Sequence, residues 1–553
     1  MTRQGNEVTV AEAVGAALAR AEGVSTVFGV VGSGNFLLTN ALTANGARFI
    51  AARHEGGAAV MADAYARVSG ELGVLSVHQG PGFTNAITGI TEAAKSRTPL
   101  LILAAEATAP TSNFYIDQLA IAAAVGAIPD RILSATTARA DLTRAHRTAL
   151  RERRTVLLSL PLDVQAQRVP RFSLPARPTT PRLGSSPEAV AALADALAAA
   201  ERPVFLAGRG ARGAKRELQS LAYRAGALLA TSAVARGLFR GHPYSLDVSG
   251  GFATPVAAEL IRDADLIVAW GCSLTMWTTR HGTLISDSAK VIQVDSNPAA
   301  LGVQHRIDIG VPSDVAAAAS AVLDELDRRG QRSSGYRTPD LAKRLAAEGR
   351  WRDVPYEPVR EEGRIDPRTL SIVLDDLLPA QRTIATDSGN FMGYPAMFLD
   401  VPDENGFVFT QAFQSVGLGL STAIGAAIAR PDRLTVAALG DGGALMGIGE
   451  LETAVRLGIR DLLVVVYDDE AYGAEVHHFG PDGYPLGSVQ FPPADIAAIA
   501  RGFGCEAATV CEPADLEAVR TWLAGPRDRP MLVHAKVTRT RPSWWLEEAF
   551  RGH

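Results

Sequence analysis

The sequence predicts an α/β fold: three doubly wound parallel sheets, one in each of three domains. Short apolar runs that end at glycine turns recur along the chain and read as buried strands. Segments with helical spacing or small-residue composition separate them, and alternating β and α gives a parallel sheet. At 553 residues the chain is too long for one core, and two proline- and charge-rich stretches divide it.

In chain order, Val10, Val14 and Leu18 fall at helical spacing and open the first domain, residues 1–165. Strands are expected over 27–31, 49–52, 74–77 and 100–103, with a small-residue helix over 58–67. The strand ends deliver Gly32-Ser33-Gly34-Asn35, His54-Glu55-Gly56-Gly57 and His78-Gln79-Gly80-Pro81-Gly82-Phe83-Thr84-Asn85. Pro170, Pro175, Pro178, Pro181 and Pro187 interrupt regular structure, so 165–187 reads as a linker. The second domain, 188–328, opens on an alanine-rich helix. Its strand over 204–206 runs into Gly208-Arg209-Gly210-Ala211-Arg212-Gly213, a G-x-G-x-x-G match. Further strands are expected over 266–270 and 291–294, and Arg212, Gly250, Gly251 and Asp295 could line a nucleotide cleft. A second linker, 328–366, is charged and broken by glycine and proline, with a helix over 341–351. The third domain, 366–540, has strands over 384–386, 434–439 and 462–466 and a helix over 445–457. The end, 541–553, carries Trp544, Trp545 and Phe550, too aromatic for a free tail; it reads as a flap or as packing on a partner subunit.

Composition narrows the function classes. With 47% hydrophobic and 20% charged residues the chain is globular, and a net charge of −5 implies no nucleic-acid or anionic-membrane partner. Three cysteines are too few for a disulfide framework and lack metal-ligand spacing. No signal-peptide core and no run long enough to cross a bilayer is present, so a cytoplasmic location is expected by default.

The chemistry gathers at strand ends. Gly440-Asp441-Gly442-Gly443 follows one strand, and Asp468-Asp469-Glu470-Ala471-Tyr472-Gly473 follows the next. In a right-handed βαβ unit those ends point the same way. Two carboxylates, Asp441 and Asp468, beside bare glycine amides suit a diphosphate bridged to a hard divalent cation.

These motifs resemble those of thiamine diphosphate (ThDP) enzymes, and their order along the chain is similar to the acetolactate synthase branch. The resemblance implies ThDP and Mg2+ as cofactors, with Asp441, Asp468 and the Glu470 carbonyl as metal ligands. Glu55 would be the acid that activates the coenzyme's pyrimidine ring. His78 and Ser33 would handle the substrate carboxylate and carbinol, with Gln118 a further candidate. Val31, Pro81 and Asn85 would line the pyrimidine side. Gly389, Asn390, Phe391, Gly440, Gly442, Gly443, Ala471 and Tyr472 would line the diphosphate side. Val416 would wedge beneath the coenzyme, its N–H and the Gln414 carbonyl gripping the pyrimidine edge. FAD, an ADP group or nothing could occupy the central domain. The two outer domains would meet across a subunit interface, in a homodimer or a tetramer of two dimers.

The implied reaction is decarboxylation of a 2-oxo acid followed by carboligation to a second carbonyl. Four features depart from the synthases: Asp468 stands where they carry Asn, Val416 is small, His78 is foreign to them, and Val476-His477-His478-Phe479 replaces a specificity Trp. A non-oxidative 2-oxo acid decarboxylase and a lyase of 2-hydroxyacyl or oxalyl thioesters therefore stay open, as does a non-catalytic cofactor-binding regulator.

Overall fold

The computed structural model describes residues 7–176, 180–330 and 335–546. Each domain holds one six-stranded sheet, and every pairing within the three sheets is parallel. The first orders its strands Arg48–Ala51, Thr26–Gly29, Gly73–Val77, Leu100–Glu106, Thr155–Pro161, Ile128–Arg131. The third runs Phe407–Phe409, Arg382–Thr386, Leu434–Gly440, Leu462–Asp468, Met531–Lys536, Glu506–Val510. Numbered within its domain, each reads 2-1-3-4-6-5, so the outer domains share one topology. The central sheet instead reads 3-2-1-4-5-6, from Ser245–Val248 through Pro203–Ala207 to Ile309–Pro312. Ligands bind such sheets beyond the carboxyl ends of the strands, where the order reverses. In the first domain that point lies between the strands leading to Ser33 and His78. In the third it lies between those leading to Asp387 and Asp441.

The outer domains share a core. The helix Glu55–Ser69 packs on Gly419–Ala429 through alanines and glycines, and both contribute to one buried cluster with Met61, Ile90, Ile424 and Leu451. Small residues are required here. A Cβ at Gly425 would strike the Met61 carbonyl, and one at Gly57 would strike the Glu450 carboxylate.

Several expected boundaries shift. The first part of the expected 165–187 linker belongs to the first domain, because Arg168–Pro170 pairs antiparallel with Glu7–Thr9. The helix expected over 445–457 is two, Asp441–Gly447 and Glu450–Arg456, with Gly449 between them. In the second linker the helix is Pro339–Glu348, and it lies against the central domain, where Arg344 pairs with Glu259 at 2.6 Å. The aromatic end is not a free flap up to Leu546: Trp545 is buried against Gly393, and Trp544 lies over Trp351 at 5.3 Å. Phe550 lies outside the described residues. No described helix is long and apolar enough to cross a membrane.

Candidate active site

Two clusters form at the two outer switch points. In the first, Glu55 begins its helix behind the N-cap His54, whose Nδ1 accepts the Gly56 N–H at 3.0 Å. The preceding turn is fastened to the third domain: the N–H groups of Arg53 and His54 donate to the buried Glu450 carboxylate at 3.2 and 3.1 Å. Glu55 Oε2 accepts from Asn85 Nδ2 at 3.0 Å, at the end of the short helix Pro81–Asn85. Gly82 lies between Glu55 and His78; a Cβ there would sit 3.4 Å from Glu55 Oε1 and 3.1 Å from His78 Cβ.

His78 Nδ1 accepts the Gly34 N–H at 3.2 Å, which assigns the neutral ring's proton to Nε2. Burial lowers the His78 pKa against the opposing charge of Glu55. The Ser33 turn wraps the imidazole closely, since a Cβ at Gly32 would come within 2.7 Å of His78 Cγ. Ser33 itself is exposed, as are Val31 and Pro81, and Phe114 meets the His78 ring edge-on at 5.1 Å.

Gln118 does not face this space. It is buried; its Nε2 donates to the Ala105 carbonyl and Ser159 Oγ, and its Oε1 accepts the Gly80 N–H at 3.2 Å. The expectation of substrate contact is corrected to a role in holding the Gly80 turn.

In the third domain, buried Asp387 organises the other cluster. Its carboxylate accepts the Ser388, Gly417 and Leu418 N–H groups, at 2.8, 3.0 and 3.2 Å. Burial raises its pKa to about 6 against those donors. It thereby pins the loop carrying Gln414 (φ 60°) and Val416, both exposed. Buried Glu92 of the first domain holds the same loop through the Ala412 and Phe413 N–H groups. Gly443 lies against both Asp387 and Val416, Gly442 lies under the Tyr472 ring, and Gly440 and Gly389 flank Phe391. Phe391 is itself buried, stacked on Tyr467 at 5.3 Å, so its expected coenzyme contact is corrected to a packing role.

The acidic loop departs most from expectation. Asp468, the last residue of its strand, is buried with both oxygens engaged. Its Oδ2 meets His534 Nε2 at 2.6 Å and Lys536 Nζ at 2.7 Å, and its Oδ1 accepts the Glu470 N–H at 2.9 Å. Burial opposes its ionisation, but these partners outweigh it and hold the pKa down to about 2. The Glu470 carbonyl is engaged too, accepting the Phe491 N–H at 2.9 Å. Neither group is free to bind a cation, which corrects both metal assignments. Asp469 is the carboxylate whose charge acts most on Asp441, ahead of Asp468. It takes Asn390 Nδ2 at 3.4 Å and closes over Gly473, where a Cβ would collide with its Oδ2. Asp441 is raised to about 8 by burial, then by the charges of Asp469 and Asp468; Asp469 is raised to about 6, chiefly by burial. The Ala471 carbonyl takes no part in the bonds that flank its bridge to Gln490, which run from Phe491 to Glu470 and from Tyr472 to Val489. Among the described residues no three His, Cys, Asp or Glu side chains form a complete metal site. Asp441 and Asp469 are thus at most a partial set.

Comparison with known proteins gives the family. The thiamine pyrophosphate enzyme models match in order: the N-terminal TPP-binding domain over residues 8–123, the central domain over 190–326 and the C-terminal TPP-binding domain over 387–535. A probable 2-ketoarginine decarboxylase of Pseudomonas aeruginosa is 32% identical, over 90% of this chain and 88% of its own. The chain belongs to the thiamine pyrophosphate enzymes. A sulfoacetaldehyde acetyltransferase of Alcaligenes xylosoxydans xylosoxydans is 30% identical over 82% of this chain and 80% of its own. A probable acetolactate synthase large subunit of Methanocaldococcus jannaschii is 28% identical over 92% and 88%.

For a thiamine pyrophosphate enzyme the donor set fits the coenzyme. Bare amides at Gly442 and Gly443 open a helix, and two carboxylates stand beside them, a combination suited to a diphosphate carrying a hard cation. Sequence reasoning missed Asp387, Glu92, Glu450 and Asp469. The first three were hidden because their partners lie on other elements. Asp469 stands in its motif without distinction there, because the strand runs two residues further than its apolar run, 462–466, and its last side chain is taken by the neighbouring strand.

Proposed function

We propose that the protein carries out ThDP- and Mg2+-dependent decarboxylation of a 2-oxo acid. The observation that carries this reading is the Glu55–Asn85–His78 cluster in one outer domain, matched by the Asp441–Asp469 pair in the other. When bound, the coenzyme supplies a carbanion and then stores the electrons that CO2 leaves behind. Glu55 would hydrogen-bond the pyrimidine ring and relay its proton. Asp441, Asp469 and the Ala471 carbonyl would hold the Mg2+, and the Gly442 and Gly443 amides the diphosphate. Asn390 would orient Asp469. Val416 would support the coenzyme, with the Val416 N–H and the Gln414 carbonyl binding its pyrimidine.

Release of an aldehyde is the first outcome. His78 Nδ1 is occupied by Gly34 and its lowered pKa keeps the ring neutral, so Nε2–H would serve as a hydrogen-bond donor to a substrate oxygen. Ser33, exposed on the turn around it, would bind the substrate carboxylate. The 2-ketoarginine decarboxylase relative supports this outcome. Carboligation to a second carbonyl is the second reading, supported by the acetolactate synthase and acetyltransferase relatives. A thioester lyase is a further outcome of the same assay.

Two features bear on assembly and the central domain. The first cluster is rimmed by exposed Val31, Phe36, Leu37, Phe114 and Tyr115, and the second by exposed Phe413, Leu445, Met446 and Tyr472. Apolar patches of this kind mark protein interfaces. These patches support a reading in which the two clusters complete each other between subunits of a homodimer, alone or paired as a tetramer. At the central switch point Gly208 and Gly210 pack on Gly271, and half-buried Arg209 and Arg212 donate to carbonyls: Ser96 for the first, Arg67 and Val234 for the second. Burial, with neighbouring Arg67 and Arg153, lowers them to about 9 and about 10. The buried Arg212 Nε has no partner. This cluster fits the diphosphate of a nucleotide such as FAD or ADP.

The test is incubation with ThDP, Mg2+ and a panel of pyruvate, 2-ketoarginine, other 2-oxo acids and acyl thioesters. Release of CO2 with free aldehyde is expected. CO2 with a ligated product supports the second reading. No turnover, with no proton exchange at the coenzyme's reactive carbon, supports a non-catalytic regulator. A yellow purified protein identifies flavin.

A further inference from the structure

The loop that would carry Asp469 is held from behind by charges that the reaction does not use. Asp468 stands one residue before it, so two carboxylates adjoin on the loop. A second carboxylate here would repel both Asp469 and a bound diphosphate unless something balances it. Lys536 Nζ lies 2.7 Å from Asp468 Oδ2 and 3.2 Å from Glu470 Oε1, and buried His534 Nε2 lies 2.6 Å from the same Asp468 oxygen. Both come from the neighbouring strand, on which Asp468 and Lys536 are register partners. Glu470 adopts φ 57°, a left-handed conformation that a non-glycine residue holds only under external constraint. Its carboxylate is gripped by Arg364 at 2.7 Å, Arg539 at 2.9 Å and Lys536. Arg364 also donates to the Asp468 carbonyl at 3.3 Å. Asp469 is therefore flanked by two acids, each fixed by cations from outside the loop.

We propose that Lys536, seconded by His534, is a positioning residue for the coenzyme site: it balances Asp468 and fixes the kinked loop so that Asp469 and the Ala471 carbonyl face Asp441. The inference rests on the metal and diphosphate reading above. Lys536 touches neither coenzyme nor substrate; it acts through Asp468 and Glu470. Its presence is what allows an aspartate at a place beside a diphosphate. Without it, the Asp468 charge is left in a buried setting next to an anionic ligand, whereas removing both charges together leaves no imbalance.

A double-mutant cycle tests this, with coenzyme affinity read by quenching of intrinsic fluorescence at fixed Mg2+ and the melting temperature of the coenzyme-free protein read in parallel. Lys536→Met is expected to weaken ThDP binding about tenfold or more, and Asp468→Asn alone to change it less than about threefold. Adding Asp468→Asn to Lys536→Met is expected to restore affinity to within about threefold of the natural chain. Unaltered binding in Lys536→Met, or a double variant as weak as Lys536→Met, overturns the proposal. Should Lys536→Met fail to fold, the double variant carries the test alone: near-natural affinity supports charge balance, and weak binding by a folded double variant refutes it. If the natural chain itself binds no ThDP with Mg2+, the functional reading fails and this proposal with it. Binding by the natural chain without coupling in the cycle removes the positioning role only.

Discussion

Asp441, Asp468 and Asp469 show how three identical side chains separate into different roles by their partners. Asp468 is ion-paired and held ionised, whereas buried Asp441 and half-buried Asp469 are pushed towards the protonated form. If the latter two hold the cation, Asp469→Ala should raise the Mg2+ concentration needed for half-saturation by about 10- to 100-fold, with Asp468→Asn far milder. The reverse order, by titration of Mg2+ into the ThDP-supplemented protein, would return the role to Asp468. A pH dependence follows as well. The Asp441 carboxyl lies above its ordinary value of 3.8, at about 8. Its contribution to the stability of the coenzyme-free protein is full below pH 3.8 and is lost as pH rises through about 8. Metal and diphosphate need the ionised form, so their binding at pH 7 should release protons. Calorimetry in buffers of differing ionisation enthalpy should detect that release, and a binding heat independent of buffer would contradict it. Glu55, His78 and Asp441 were legible because each follows an apolar run and stands within two residues of a glycine. Asp468 and Asp469 were confused because the pattern locates a strand end only to within a residue, and the deciding partners, His534 and Lys536, lie 66 and 68 residues away.

At the scale of elements, the site depends on how two helices approach. Glu55–Ser69 and Gly419–Ala429 meet through small residues, and the flanking Glu450 and Glu92 carboxylates tie each domain's loops to the other. Any side chain at Gly425 must displace the Met61 backbone. Gly425→Val should cost about 2 kcal/mol or more, seen as a lower melting temperature of the coenzyme-free protein. An unchanged melting temperature would mean that the contact is looser than described. The alternation of strands and helices was readable from periodicity. The break at Gly449, the 168–170 clasp and the seating of Trp545 were not, because each depends on contacts between distant segments.

Across the whole molecule, the same 2-1-3-4-6-5 sheet occurs twice and places one cluster at each switch point. The central domain carries a different strand order and a cluster of half-buried arginines. Three domains were foreseeable from length and linkers, but the shared topology of the outer two was not, since strand order within a sheet leaves no mark in the local pattern. The central claim is that Glu55 of one subunit and Asp441 of another serve one coenzyme. The direct measurement is proton–deuterium exchange at the coenzyme's reactive carbon after Glu55→Gln and Asp441→Ala proteins, each inactive alone, are dissociated and reassembled together. Sites shared between subunits should regain exchange to about a quarter of the natural rate by random pairing. No recovery in a mixture shown to have reassembled, or full exchange by Glu55→Gln alone, would contradict the claim.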